Sequence, residues 1–258
     1  MSDTASQPCS CQYLLPGFVA VHVGAGHQSK ERSNQYKDTC KKACLNAIRA
    51  LKNGKNASEA VCIAVAVLED EREEEQRLDT VGAIIIDTNG NVAAAASSGG
   101  ILLKHSGRIG HSALYGCGCW IDQQENCSVA IVSSGTGEFL TKTLFSKSIS
   151  DQCIENDITP EMIKTILNKI FLNRTMTPLN ADKYLGFILL KTSLNTDNDR
   201  TVEFVCSHNT KTMCIGYMNT NQSNPHTLFS ELQNNETLSI NIEAFVLNKQ
   251  SACSCKTF

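Results

Sequence analysis

The sequence predicts an α+β fold in which layers of antiparallel sheet are covered by helices. The first observation is the order of patterns along its 258 residues: a strand, two helices, strands, two helices and strands again. The second is that the helical patterns cluster between runs of strands. The third is a hydrophobic content of 41%, which suits a buried core.

The first half of the chain begins with a strand and two helices. Residues 17–23 form a short apolar run, which we expect to be a buried strand. Asn56 and Glu59, three residues later, resemble a capping box and predict a helix that ends near Asp70. The helix before it is predicted over 33–52 by apolar residues at helical spacing, namely Cys40, Cys44, Ala47, Ile48 and Leu51.

Strands dominate the remainder of the chain. Gly137 opens a predicted helix that ends near residue 149, and Pro160, a residue favoured at helix starts, opens another to about residue 173. Apolar runs predict strands near 81–87, 91–98, 128–134, 186–191, 201–208 and 212–218.

These patterns predict one domain over residues 17–218. Residues 1–16 are polar, lack periodicity and are expected to be loose. Residues 219–258 are rich in Asn, Ser and Thr, and the sequence leaves their order open.

Charge and cysteine content exclude several classes of function. A net charge of −3 argues against nucleic-acid binding, which needs a basic face. No apolar run reaches the length that spans a bilayer, so no membrane partner is expected. Thirteen cysteines, with Cys40 and Cys44 on the apolar face of a predicted helix, favour reduced intracellular thiols. The three Cys-x-Cys pairs are too closely spaced for a usual zinc site, so neither a metal nor a cofactor is predicted.

The chemistry is indicated by Thr80, which follows Asp79 at the start of a predicted buried strand. If the bond between them is cut, Thr80 gains a free α-amine that can deprotonate its own hydroxyl. One residue would then supply both nucleophile and base. The alternative is a hairpin whose small residues pack beneath a helix.

Several further motifs share one order and spacing with a known family. They are Leu78-Asp79-Thr80-Val81-Gly82-Ala83, Ser97-Ser98-Gly99-Gly100, Lys104-His105-Ser106-Gly107-Arg108-Ile109-Gly110, Ala113-Leu114-Tyr115-Gly116-Cys117-Gly118-Cys119-Trp120, Gly135-Thr136-Gly137-Glu138, Ser207-His208 and Cys214-Ile215-Gly216-Tyr217-Met218. On these motifs, the chain resembles the threonine aspartase (taspase) branch of the asparaginase and isoaspartyl-peptidase family of N-terminal-nucleophile hydrolases. The resemblance implies a four-layer αββα sandwich and autocleavage before Thr80. The two subunits, 17–79 and 80–218, would stay associated, and homodimerisation is left open.

The resemblance assigns three principal site residues. Thr80 takes the position of the nucleophile. Ser98 takes that of a second hydroxyl, which orients the nucleophile and its amine. Arg108 takes that of the arginine that clamps the substrate carboxylate, a task suited to a permanently charged planar fork.

Further substrate-binding residues are less closely defined. Asparaginases carry an aspartate at the position of His111 to hold the α-ammonium of a free amino acid, whereas an endopeptidase substrate has an acylated nitrogen there. His111 therefore favours the threonine aspartase branch. Ser134 and Gly135 match the segment along the scissile carbonyl, where donors could stabilise an oxyanion. Arg32 matches a basic residue near the site, and a solvated loop arginine is the alternative.

The resemblance also implies a missing segment. Family members carry a long stretch before the processing site, with an Asn-Ala-Gly motif and a further strand pair. This chain instead passes from Asp70 to Leu78 through Glu71–Arg77, and the asparagine of that motif maps to no residue. We therefore expect the sandwich to be incomplete in its first half, with an open sheet edge. Three causes of the missing segment are left open: splicing, an incomplete gene model and engineering.

The function implied is a threonine-type endopeptidase that cleaves protein substrates after aspartate. The family implies nuclear regulatory proteins as targets and a nuclear or cytoplasmic location. The first alternative is a catalytically inactive splice variant or truncated gene product that at most binds the full-length protein. The other is an asparaginase or isoaspartyl peptidase, against which His111 argues.

Overall fold

The computed structural model describes residues 13–70, 80–101, 104–173, 182–195, 199–248 and 250–251. In the first part of the chain the elements are β1 (Tyr13–Leu14), β2 (Phe18–Gly26), α1 (Ser33–Lys52), α2 (Ala57–Asp70), β3 (Thr80–Ile86), β4 (Val92–Ser98), a 3₁₀ turn (His111–Ala113), β5 (Cys119–Gln123) and β6 (Cys127–Gly135). They continue with α3 (Gly137–Lys142), α4 (Phe145–Glu155), α5 (Pro160–Leu167), a π-helical turn (Asn168–Leu172), β7 (Leu185–Leu194), β8 (Arg200–His208), β9 (Thr212–Asn219), β10 (His226–Glu231), β11 (Ser239–Leu247) and β12 (Gln250–Ser251).

The described strands form two five-stranded sheets and one short pair. The first sheet has the order β10-β9-β2-β3-β4, and the second has the order β11-β8-β7-β6-β5. Every neighbouring pair is antiparallel, including the pair formed by β1 and β12. This topology confirms the predicted α+β class.

Three apolar cores separate four layers. One core joins α1 and α2 to the first sheet, the second lies between the two sheets, and the third joins the second sheet to α3, α4 and α5. Strand β3 shows how the sequence builds this order, because side chains alternate across a strand. Ile85 enters the helix-facing core, whereas Ile84 and Ile86 enter the core between the sheets. The layers are therefore αββα, as the family resemblance implies.

The start of α2 confirms the predicted capping box. Oδ1 of Asn56 accepts a hydrogen bond from the backbone N–H of Glu59 at 2.9 Å. In return, Oε2 of Glu59 accepts from the backbone N–H of Asn56 at 3.1 Å. Two donors at the helix start are thus satisfied reciprocally.

The helix predicted from Gly137 to about residue 149 is two helices. They are separated at Leu144, which adopts the left-handed conformation with φ of 46°. Leu144 is a poor residue for that conformation, so no local pattern marks the break. The helix from Pro160 ends earlier than predicted, at Leu167, and continues as the π-helical turn.

Strands β1, β5, β10, β11 and β12 were not predicted. Strand β1 lies within residues 1–16, which were expected to be loose, and it is ordered by pairing with β12. Strands β10 and β11 lie within residues 219–258, whose order the sequence leaves open, and they extend the two sheets beside β9 and β8. The apolar residues of strand β11 change face along its length, and Asn241 and Glu243 hide the pattern within an Asn-rich stretch. Ile240, Ile242 and Phe245 nevertheless contact the buried clusters.

The resemblance implies an incomplete first half, with an open edge on one of the two sheets. In the described part of the chain, β4 ends the first sheet, and all of its residues except Ala93 are partly exposed. The junction Glu71–Arg77 lies outside the described residues. The missing segment therefore stays a prediction.

Candidate active site

A cleft of about 530 Å³ opens at the end of the sandwich where β3 begins. It collects the ends of β2, β4 and β6 together with the loop before the 3₁₀ turn and the start of α3. Its lining residues are Ala25, Gly26, His27, Thr80, Ser98, Gly100, Ile101, Arg108, Gly110, His111, Ser134, Gly135, Thr136, Gly137, Glu138 and Tyr184.

Thr80 and Ser98 bring two hydroxyls together on neighbouring strands. Thr80 is the first residue of β3 and is only 6% exposed. It lies directly opposite Ser98, the last residue of β4. Opposed residues of an antiparallel pair point to the same face, with Cβ atoms about 5 Å apart. Oγ of Ser98 also accepts from the backbone N–H of Gly100 at 3.1 Å, which fixes the turn after β4.

Ser134 and Gly135 bring the second sheet to the same cleft. Oγ of Ser134 accepts from the backbone N–H of Ala25 at 3.2 Å, so the ends of β6 and β2 are joined across the two sheets. The hydroxyl hydrogen of Ser134 stays available to a ligand. Gly135 has φ of 141°, and a Cβ there would lie 2.2 Å from the carbonyl oxygen of Tyr184. Only glycine fits this position.

Arg108 supplies the positive charge of the cleft. Its Nε donates to Oε1 of Glu138 at 2.7 Å, and its Nη2 lies 2.7 Å from the same oxygen. The side chain of Arg108 is 16% exposed and that of Glu138 is 53% exposed. The hydrogen bond from Arg108 lowers the pKa of Glu138, so this carboxylate is ionised at neutral pH.

His111 is buried beside this pair, and its burial favours the neutral form. It is 3% exposed, and its Nε2 lies 3.0 Å from the carbonyl oxygen of Ser133. Burial is the main cause that lowers its pKa, and the charge of Arg108 lowers it further against the opposing hydrogen bond to Ser133. Because a carbonyl only accepts, Nε2 carries the proton, and Nδ1 is left as an acceptor.

The structure brings most of the predicted site residues to this single cleft. They are Thr80, Ser98, Arg108, His111, Ser134 and Gly135. Arg32 precedes α1 and is not among the described residues that line the cleft. Asp79 lies outside the described residues. The catalytic and binding roles of all of them stay predictions.

Glu138, His27 and Tyr184 are among the lining residues that were not predicted as site residues. Glu138 lies within a motif that carries the resemblance, which offered a signal for it. The rings of His27 and Tyr184 meet edge to face, with centroids 5.8 Å apart. They come from the ends of β2 and β7, which are distant in sequence, so no local pattern indicates their contact.

Among the described residues, no group of three or more His, Cys, Asp or Glu side chains could hold a metal ion. No helix in this part of the chain is long and apolar enough to cross a membrane.

A family model described as Asparaginase matches residues 70–228, which is more than half of the chain and includes most of the cleft. The chain belongs to the asparaginase family. The two-sheet layered fold agrees with the sandwich of N-terminal-nucleophile hydrolases. Several similar proteins are named isoaspartyl peptidase or L-asparaginase, so the threonine aspartase branch stays a prediction.

Individual relatives match shorter stretches. An isoaspartyl peptidase of Escherichia coli (strain K12) is 44% identical over 78 residues, which cover 30% of this chain and 23% of that protein. A plant-type L-asparaginase of Pyrobaculum calidifontis is 34% identical over 142 residues, 54% of this chain and 41% of that protein. A Homo sapiens isoaspartyl peptidase/L-asparaginase is 43% identical over 68 residues, 26% of this chain and 21% of that protein. The matches thus span less than half the length of these relatives.

Proposed function

We propose that this chain is an N-terminal-threonine hydrolase that cleaves peptide bonds after aspartate, once the Asp79–Thr80 bond has been cut. The observation that carries the proposal is that His111, which is buried and whose pKa is lowered by that burial, lies in the same cleft as Arg108. The guanidinium of Arg108 would bind the aspartate carboxylate. The uncharged Nδ1 of His111 would accept a hydrogen bond from the N–H of the acylated nitrogen.

The nucleophile of the proposed reaction is Thr80. Its α-amine takes the hydroxyl proton, and the oxygen attacks the carbonyl carbon of the aspartyl residue. The resulting oxyanion can accept from the hydroxyl of Ser134. Collapse of the intermediate breaks the C–N bond, the leaving amine takes the proton, and an ester to Thr80 remains. Water then hydrolyses this ester and restores the hydroxyl. Ser98, opposite Thr80, would orient the nucleophile.

The charges of the cleft favour a peptide over a free amino acid. Nδ1 of neutral His111 can accept an amide N–H. The α-ammonium of a free amino acid would need an anion instead. Glu138, an anion of the cleft, is already paired with Arg108. Arg108 would further oppose a second cation at this position.

The names of the relatives support a second candidate, an isoaspartyl peptidase or asparaginase. A third candidate is a catalytically inactive variant that binds the full-length protein. Under the first proposal the protein partners are nuclear regulatory proteins, the location is nuclear or cytoplasmic, and the two fragments of the chain stay together.

A substrate panel tests the proposal. The purified chain is incubated with peptides that contain an internal aspartate, matched peptides with asparagine, an isoaspartyl dipeptide, and free L-asparagine. We expect cleavage of the aspartyl peptides alone. Release of aspartate from the isoaspartyl dipeptide, or of ammonia from L-asparagine, at an equal or higher kcat/KM would overturn the proposal in favour of the second candidate.

A further inference from the structure

The contact between Arg108 and Glu138 takes up only one side of the guanidinium group. Oε1 of Glu138 lies 2.7 Å from both Nε and Nη2. A guanidinium carries five N–H donors in a fixed planar fork, so Nη1 and the second N–H of Nη2 form another two-donor side. Within the described part of the chain, Nη1 has no protein hydrogen-bond partner.

Gly137 keeps a small space open beside Nη2 of Arg108. A Cβ at residue 137 would lie 3.3 Å from Nη2 of Arg108 and 3.2 Å from Nδ1 of His111. Contacts this short would force one of these groups to move. Gly137 has no positive φ, so its backbone conformation does not require a glycine. The close approach of the two side chains does, because it leaves no room for a Cβ. Both polar atoms therefore border one space within the cleft.

We propose that Glu138 is a positioning residue, which holds the Nε side of Arg108 so that the Nη1 side meets the substrate carboxylate. The inference rests on the proposed function, in which Arg108 binds the aspartate before the scissile bond. Glu138 fixes the plane of a long side chain that would otherwise sample many rotamers. A bound substrate would place a second carboxylate on the same cation.

Glu138 then has two opposing effects on substrate affinity. Its oxygen orients the guanidinium, which favours bidentate binding. Its negative charge repels the incoming carboxylate, which weakens binding. Glu138→Gln keeps an acceptor oxygen and removes the charge, whereas Glu138→Ala removes both. The two variants therefore separate the two effects.

The experiment measures binding without requiring cleavage. Peptides that end in aspartate or asparagine have no bond to cut at that residue, and their dissociation constants are measured by calorimetry on the purified full chain. We expect the aspartate peptide to bind E138Q several-fold more tightly than the parent chain, and about tenfold more tightly than E138A. The asparagine peptide should bind all three chains within about twofold, whereas general structural damage would weaken both peptides.

A second readout needs no peptide. The ¹H–¹⁵N resonance of Arg108 Nε, assigned with Arg108→Lys, should exchange with water about tenfold faster in E138A than in the parent chain or E138Q, because the acceptor is lost. Glu161→Ala provides a matched control, since Glu161 also lies in the first turn of a helix but is not a cleft residue.

The outcomes separate this inference from the proposed function. If the parent chain prefers the aspartate peptide and Arg108→Ala abolishes that preference, the carboxylate role of Arg108 holds. If both Glu138 variants then keep the peptide affinities and the Arg108 Nε–H exchange rate of the parent chain, only the positioning role of Glu138 is overturned. If the parent chain does not distinguish the two peptides, the role of Arg108 and the inference built on it both fail.

Discussion

Thr80 and Ser98 are directly opposed residues of β3 and β4, at the strand ends that open into the cleft. This register places two hydroxyls on one face of the first sheet. The pairing depends on the tight connection between the strands, since Asp87 accepts from the backbone N–H groups of Asn89 and Asn91, each at 2.9 Å. A shift of the register by one residue would turn Ser98 to the opposite face.

Ser98 should therefore affect the reactivity of Thr80. We expect Ser98→Ala to slow both self-cleavage and peptide hydrolysis by about tenfold to a hundredfold, because an orienting hydroxyl is lost. Rates are measured by quantifying fragments over time. Ser97→Ala is the matched control, since Ser97 belongs to the same strand and bonds to Glu69 on α2 instead. Equal rates in Ser98→Ala and the parent chain would exclude the orienting role.

Arg108 should decide the preference for aspartate. Loss of a partner from a desolvated charge pair costs several kcal/mol, so Arg108→Ala should lower kcat/KM for an aspartyl peptide by about a hundredfold or more. Arg108→Lys keeps the charge but loses the fork, and we expect an intermediate value. Arg49→Ala, on the exposed side of α1, should leave kcat/KM unchanged. If all three variants match the parent chain, Arg108 does not bind the substrate carboxylate.

Two buried histidines should make the chain less stable in mild acid. Burial lowers the pKa of both His111 and His208 below the usual value of 6.5. The unfolded chain therefore binds protons first as pH falls below about 6.5, and the free energy of unfolding decreases until the folded histidines are protonated. Urea titrations between pH 7 and pH 5 measure the slope, and His111→Gln should reduce it. A slope unaltered by that substitution would show that His111 is not held neutral.

The backbone at Gly135 should tolerate no side chain. Gly135→Ala combines positive φ with a contact to the carbonyl of Tyr184, and we expect a loss of about 2–4 kcal/mol in the free energy of unfolding. Gly26→Ala is the control, because a Cβ there would meet nothing within 4 Å. Gly26→Ala should change the free energy of unfolding by no more than about 0.5 kcal/mol. Urea denaturation of the two variants compares them directly, and equal stability would contradict the strained geometry.

The sequence correctly predicts helices whose signals lie close together along the chain. Residues at helical spacing such as Cys40 and Leu51 lie in the core as expected, and the capping box of Asn56 forms. The break at Leu144 follows from a conformation that leucine rarely adopts, and no neighbouring residue marks it. Strands β10 and β11 gain their order from pairing with β9 and β8, which a polar sequence conceals.

The site residues that could be predicted from the sequence are those that lie within recognisable motifs. The motifs with Thr80, Ser98 and Arg108 converge on one cleft, whereas the basic loop residue Arg32 lies elsewhere. The contact between His27 and Tyr184 depends on how the ends of two sheets meet. Glu138 was visible within a motif, but its hydrogen bond to Arg108 is a tertiary contact.

The intact mass of the purified chain tests the central claim most directly, because a threonine nucleophile must first be released at the Asp79–Thr80 bond. After prolonged incubation, we expect slow accumulation of two fragments, 1–79 and 80–258, from the unaltered chain. Thr39→Ala, a control at a half-buried position on α1 outside the cleft, should behave in the same way. Thr80→Ala should remain one chain. Splitting of Thr80→Ala at this bond would show that Thr80 is not the nucleophile, and an unaltered chain that never splits would favour the catalytically inactive alternative.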